Sequence, residues 1–148
     1  MLKLVSFLFA LLLVSPAEVN KSTLLELVNN IRQKGCNCGG TYMPPVQPVS
    51  WNNQLAQAAS NHSSFMNQKN KFSHTGRGGS DPGDRIRAAG YSWKAYGENI
   101  GFNYPDEQAV INAWLQSVSH CKNIMNPNFR EMGVARVGAY WTQDFGAK

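Results

Sequence analysis

The sequence predicts an α+β fold with an antiparallel sheet, and three observations carry that reading. Apolar residues recur at helical spacing through most of the chain. The last stretch, "MGVARVGAYWTQDFG", turns to valine and aromatic residues with glycines at turns. No internal repeat appears.

The first helix begins near Asn20. Thr23 with Glu26 three residues on makes a capping box, Leu24, Leu27, Val28 and Ile31 share one face, and Gly35 ends the helix. "CNCGGTYMPPVQPVS", with two glycines and three prolines, reads as an irregular connector. A second helix runs from about Ser50, as N-cap, to about Lys69. Its apolar stripe includes Trp51, Leu55, Ala58, Ala59, Phe65 and Met66. His62 lies on that stripe, which makes it a hydrogen-bonded core histidine. Asp81 caps a short third helix with Pro82 in its first turn and Gly90 at its stop. "YSWKAYGENIGFN" is extended or irregular. Pro105-Asp106-Glu107 opens a fourth helix, acids in its first turn, that ends near His120. The tail forms two strands in a hairpin around Val137-Gly138.

The N-terminus reads differently. Lys3 precedes an apolar run from Leu4 to Val14, closed by Ser15-Pro16-Ala17. At about 11 residues against the roughly 20 a span needs, the run is too short to cross a bilayer. It reads as a signal peptide over residues 1–17, leaving a single domain over 18–148 and a secreted or periplasmic protein without a transmembrane segment. Fourteen basic and nine acidic residues give a net charge of +5, but the basic residues are scattered and no nucleic-acid motif occurs. Three cysteines follow the leader: Cys36, Cys38 and Cys121. Export favours a disulfide, the odd number leaves one thiol over, and a long-range bond to Cys121 is preferred to a strained Cys36–Cys38 ring.

Chemistry concentrates in three motifs. "KFSHTG" places His74 in a polar, glycine-containing loop, "GENIG" places Glu98 in a glycine-flanked segment, and "SVSHCKN" places His120 beside the fourth helix's end. Two imidazoles and a carboxylate suit zinc, copper or nickel, the carboxylate either ligating or orienting an imidazole from behind. Spacing by itself leaves their convergence open.

"FSHTG", "RIRAAGY", "GENIG", "AWLQSVSHCKNIMNPNF", "MGVA" and "YWTQDFG" stand in the order they take in the CAP superfamily of cysteine-rich secretory and pathogenesis-related proteins. The chain resembles its bacterial, SCP-like branch from about Ser22 to Gly146. The resemblance implies a three-layer α-β-α sandwich with a central antiparallel sheet and an open cleft. It assigns His74, Glu98 and His120 to that cleft, with His74 and His120 as metal ligands. The family's fourth cleft acid has no match, since Gln116 and Ser117 occupy its stretch and Glu131 matches no site position. The resemblance also favours Cys38 over Cys36 as the partner of Cys121, because "CGG" fits the bacterial connector better than "CNC".

Three functions follow from this reading. The first is a secreted binding protein whose cleft takes zinc or another divalent metal, and with it a lipid, sterol or envelope polysaccharide. The second is a metal-dependent hydrolase, although neither a His-Glu-x-x-His pair nor a Gly-x-Ser-x-Gly elbow is present. The third is a structural module in which the triad is a hydrogen-bond network.

Overall fold

The computed structural model describes residues 18–148; the signal peptide expected over 1–17 lies outside the described residues. Helix α1 (Lys21–Lys34) starts where the sequence indicates, but its cap is Asn20. The Asn20 carboxamide accepts the Thr23 backbone N–H at 3.0 Å, so Thr23 sits inside the first turn. The stretch expected to be irregular contains a small antiparallel hairpin, β1 (Cys36–Cys38) with β2 (Thr41–Met43). It turns at Gly39 and Gly40, whose φ values of 60° and 88° favour glycine.

Ser50 is not a helix cap. Ser50–Trp51 forms β3, which pairs parallel with β5 (Glu131–Val137), and helix α2 (Asn53–Lys69) starts after it. Asn52 caps α2, accepting from the N–H groups of Gln54 and Leu55. A single-turn 3₁₀ element, Arg77–Gly79, precedes α3 (Pro82–Ala88), where Asp81 and Asp84 make a reciprocal capping box. The glycine-rich segment around "GEN" is a full strand, β4 (Ala95–Phe102). Helix α4 (Glu107–Gln116) stops earlier than expected. Ser117 is extended (φ −94°, ψ 126°), and the chain re-enters a helix as α5 (Val118–Ile124), so His120 lies within a helix instead of beside one. Strands β5 and β6 (Tyr140–Ala147) form the tail hairpin through Gly138-Ala139.

The main sheet has the order β3-β5-β6-β4 and is antiparallel except for the two-residue edge strand β3. Alternation along its strands sends side chains to two helical layers. Toward one face, Met132, Val134, Trp141 and Phe145 join Leu24 and Val28 of α1, Val110, Ile111 and Trp114 of α4 and Ile124 of α5 in the largest core. Toward the other lies α2, so close at Gly133 that a Cβ there would land on the backbone of Ala56. The three layers make an α-β-α sandwich. The second face carries the polar residues Glu98, Thr142 and Asp144, and Ser63 of α2 meets Thr142 at 2.8 Å.

Candidate functional site

Glu98 organises the site. Its side chain is buried on β4, where an isolated carboxylate would be costly, and each oxygen is taken by a cationic or imidazole donor. His74 Nδ1 donates to Oε1 at 2.7 Å, and Arg85 Nη2 of α3 donates to Oε2 at 2.6 Å. Burial alone would raise the Glu98 pKa. The His74 hydrogen bond and the Arg85 charge outweigh it and hold the carboxyl below its ordinary range.

The loop that carries His74 hangs on the same groups. Arg85 Nη1 donates to the carbonyls of His74 and Ser80, both at 2.9 Å, and His62 Nε2 donates to the Ser73 carbonyl at 2.7 Å. His62 is fully buried, as its apolar stripe implies, and burial is the main cause that depresses its pKa. It stays neutral, anchoring the loop. Gly76 follows the same logic: a Cβ there would stand 2.9 Å from Arg85 Nη1 and 2.7 Å from Ser80 Oγ. The glycine in "HTG" makes room for the arginine.

With Nδ1 on Glu98, the half-exposed His74 ring turns its Nε2 away from the network. His120 is held differently. Its carbonyl accepts from Asn99 Nδ2 at 3.2 Å, and its ring borders a groove of about 250 Å³ shared with Phe72, Ile100, Phe102, Tyr104 and Trp114. Burial, and then the charge of His74, hold its pKa below the usual histidine value.

Thus His74 and Glu98 are in direct contact, and His120 stands at the neighbouring groove. Among the described residues, the set of three metal-ligating side chains whose ligand atoms all fall within 4.8 Å is Cys36, Cys38 and Cys121. His74, Glu98 and His120 do not close to that distance as a trio. Cys38 and Cys121 lie at disulfide distance, with Cα atoms 5.6 Å apart, and Cys36 is free. Glu131 faces elsewhere, accepting from Tyr91 and Asn52.

Two residues of the site escaped sequence reasoning. Arg85 sits in a helix whose cap and stop are legible, but nothing in its spacing points at Glu98. Asp144 pairs directly with Glu98 across β4 and β6 and is wholly buried, with no hydrogen-bond partner for either oxygen. Burial, and then the Glu98 charge, push its pKa well above the ordinary aspartate value. Of the two neighbouring carboxyls, Asp144 is thus the one that favours the proton and Glu98 the one that favours the charge. Only the strand register reveals that pairing.

Comparison with known proteins agrees with this architecture. Residues 25–145 match the family model described as "CAP: Cysteine-rich secretory protein family". The uncharacterized protein YkwD of Bacillus subtilis is 34% identical over 138 residues, covering 90% of this chain and 50% of that protein. An extracellular SCP-domain protein of Bacillus anthracis has a solved structure that is 30% identical, with TM-score 0.75, covering 86% of this chain and 40% of that one. An outer surface protein of Borrelia burgdorferi, 18% identical, shares the fold at TM-score 0.76 over 92% of this chain and 99% of its own. The chain thus spans half or less of each of these two Bacillus proteins. Among the described residues, no helix is long and apolar enough to cross a membrane. With the family model covering most of its length and the sandwich in place, the chain belongs to the cysteine-rich secretory protein (CAP) family.

Proposed function

We propose that the chain is a secreted binding protein that holds a divalent cation of the zinc class between His74 and His120. The carrying observation is the His74–Glu98 hydrogen bond. A buried carboxylate on Nδ1 fixes the tautomer that leaves Nε2 as an exposed acceptor, the usual arrangement behind a ligating imidazole. Both Glu98 oxygens are already engaged, which favours an orienting role for it over ligation. The donor set fits: two neutral imidazoles suit zinc, and the remaining coordination positions fall to water or a bound ligand. When bound, the metal would supply Lewis acidity at the cleft. The chain's own part is to fix one imidazole through Glu98 and Arg85 and to offer the second from α5. The groove beside His120, with Phe72 and Phe102 about half exposed, gives a bound lipid, sterol or glycan an apolar surface next to the metal.

Zinc titration calorimetry tests the reading on four proteins. Wild type is expected to bind, His74→Ala with His120→Ala to lose binding while staying folded, and Glu98→Gln to bind about 10-fold or more weakly. His62→Ala keeps both ligands and separates loop anchoring from ligation. A wild type that takes no zinc, with a double variant that unfolds readily, would assign the cluster to a structural hydrogen-bond network. Extracellular location has its own check: the exported protein should begin at Glu18 by intact mass.

A further inference from the structure

The three sulfurs where β1 meets α5 form a cluster that the candidate site does not use. Cys36 and Cys38 are two residues apart on β1, so strand alternation turns both side chains to one face. That face meets Cys121 of α5. The Cys36 Sγ stands 3.6 Å from the Sγ of Cys121 and 3.9 Å from that of Cys38. All three sit in one apolar cluster with Met125, Ile31, Met43, Val46 and Leu115. Cys38 and Cys121 are fully buried, and Cys36 is partly exposed. A third cysteine on this face is not needed for the Cys38–Cys121 tether, yet it stands at contact distance from both partners.

We infer that Cys36, Cys38 and Cys121 form an internal thiol–disulfide exchange site, in which Cys36 takes over Cys121 and releases Cys38. The Cys36 Sγ stands broadside to the bond, 3.6 Å from one sulfur and 3.9 Å from the other, so the partly exposed side chain first turns in line with it; the Cys36 thiol then gives its proton to solvent, and the thiolate attacks Cys121 Sγ. A Cys36–Cys121 bond forms as the Cys38–Cys121 bond breaks, and the electron pair leaves on Cys38, which takes up a proton. Nothing is oxidised or reduced overall. Attack on Cys38 is unproductive by comparison, because it would bridge two positions of one strand and free Cys121. Burial pushes the Cys36 thiol up, which makes the exchange slow without altering where it leads. The hairpin register gives the shift a direction: Cys38 pairs with Thr41 at the turn, and Cys36 pairs with Met43 at the end next to α1. Moving the bond slides the tether of α5 from the hairpin's tip to its base. The inference stands apart from the metal reading and needs none of its residues.

The test is peptide mapping of native, non-reduced protein after prolonged incubation at mildly alkaline pH. The free thiol is labelled with N-ethylmaleimide in acidified denaturant, and tandem mass spectra place the label on residue 36 or 38. The expected result is label mainly on Cys36 with a minor share on Cys38, on the order of 1–10%. Cys38→Ser tests the geometry directly: it should oxidise in air to a Cys36–Cys121 bond and remain folded. Cys36→Ser should carry only the Cys38–Cys121 bond and no label. Wild-type label on Cys36 alone overturns the inference, and so does a Cys38→Ser protein that keeps both thiols.

Discussion

Replacing Asp144 by asparagine should stabilise the protein, and by more at each higher pH. Asp144 is fully buried opposite Glu98, and burial together with the Glu98 charge raises its pKa well above the ordinary value. In the unfolded chain the same carboxyl titrates near ~3.9. Between that value and the raised one, the native state holds a proton that the unfolded state has released. Stability then falls as pH rises, by about 1.4 kcal/mol per pH unit, until the native carboxyl ionises too. Asparagine keeps the shape and has nothing to titrate. Glu98 acts with the opposite sign, because its native pKa is depressed: its contribution is present above the unfolded glutamate value and is lost as pH falls through the native one. Working above pH ~5 therefore leaves Glu98 ionised in both states. His62 and His120, depressed by burial, make stability rise with pH toward the histidine range, but they do so in both proteins and largely cancel in the difference. Guanidinium denaturation of wild type and Asp144→Asn at half-unit steps from about pH 5 to 8 reads the effect. The stability gap should widen by about 1.4 kcal/mol per pH unit before it levels off. A gap that stays flat across the series would refute a protonated Asp144.

Further perturbations follow from single contacts. Arg32→Met leaves without their donor the carbonyls of Gln47, Ile124, Asn126 and Phe129, which the fully buried guanidinium bonds at 2.7–3.2 Å. It should cost about 3–5 kcal/mol in chemical denaturation. Gly133→Ala forces α2 off the sheet at Ala56 and should cost about 1–3 kcal/mol or more, read as a lowered melting temperature. His62→Ala removes the bond that holds Ser73 and should cost about 2–3 kcal/mol. It should also speed proteolysis in the His74 loop. Zinc affinity should weaken as the solution is acidified, since the neutral imidazole ligates and burial holds the His120 pKa below the usual histidine value, and titrations at a series of pH values read the midpoint.

Periodicity carries the sequence reading furthest where one face of an element is apolar. Leu24, Val28, Val110 and Trp114 lie in the core where helical spacing puts them, and the tail hairpin turns at Gly138. The reading loses ground where a backbone contact distant in sequence decides. Ser50 has the composition of a helix cap, but Glu131 recruits it into a sheet edge, and the cap passes to Asn52. Nothing local marks Ser117 as a break, so α4 and α5 merge in a one-dimensional reading and His120 is placed at an end. Among the candidate site residues, His74 is legible in a polar loop that contains a glycine and Glu98 in a segment flanked by glycines. Asp144 is not, because "TQDFG" reads as an ordinary strand. Its meaning depends on an eight-residue register with β4 that no spacing rule supplies.

That register also explains how one strand serves both a core and a site. Along β4, Gly97, Asn99 and Gly101 face the α4–α5 side, where the two glycines let Phe129 and Val110 close onto the backbone. Glu98 and Ile100 face α2, where Ile100 packs with Met66 and Tyr140. The glycines of "GENIG" thus bring the helical layer tight against one face, and Asn123 of α5 donates to the Glu98 carbonyl at 3.1 Å, pinning the strand beneath the carboxylate. On the other face Glu98 meets Arg85, His74 and Asp144, so its position is fixed by two helices, a loop and a neighbouring strand. A one-residue slip of β4 against β6 would turn Glu98 into the apolar layer and expose Asn99 to α2. The packing that excludes that slip is therefore the same packing that holds Glu98 against His74. Crowding the Gly97–Phe129 contact by Gly97→Ala, whose Cβ would stand 2.7 Å from the Phe129 ring, should disturb the His74–Glu98 bond although no side chain of the site has changed.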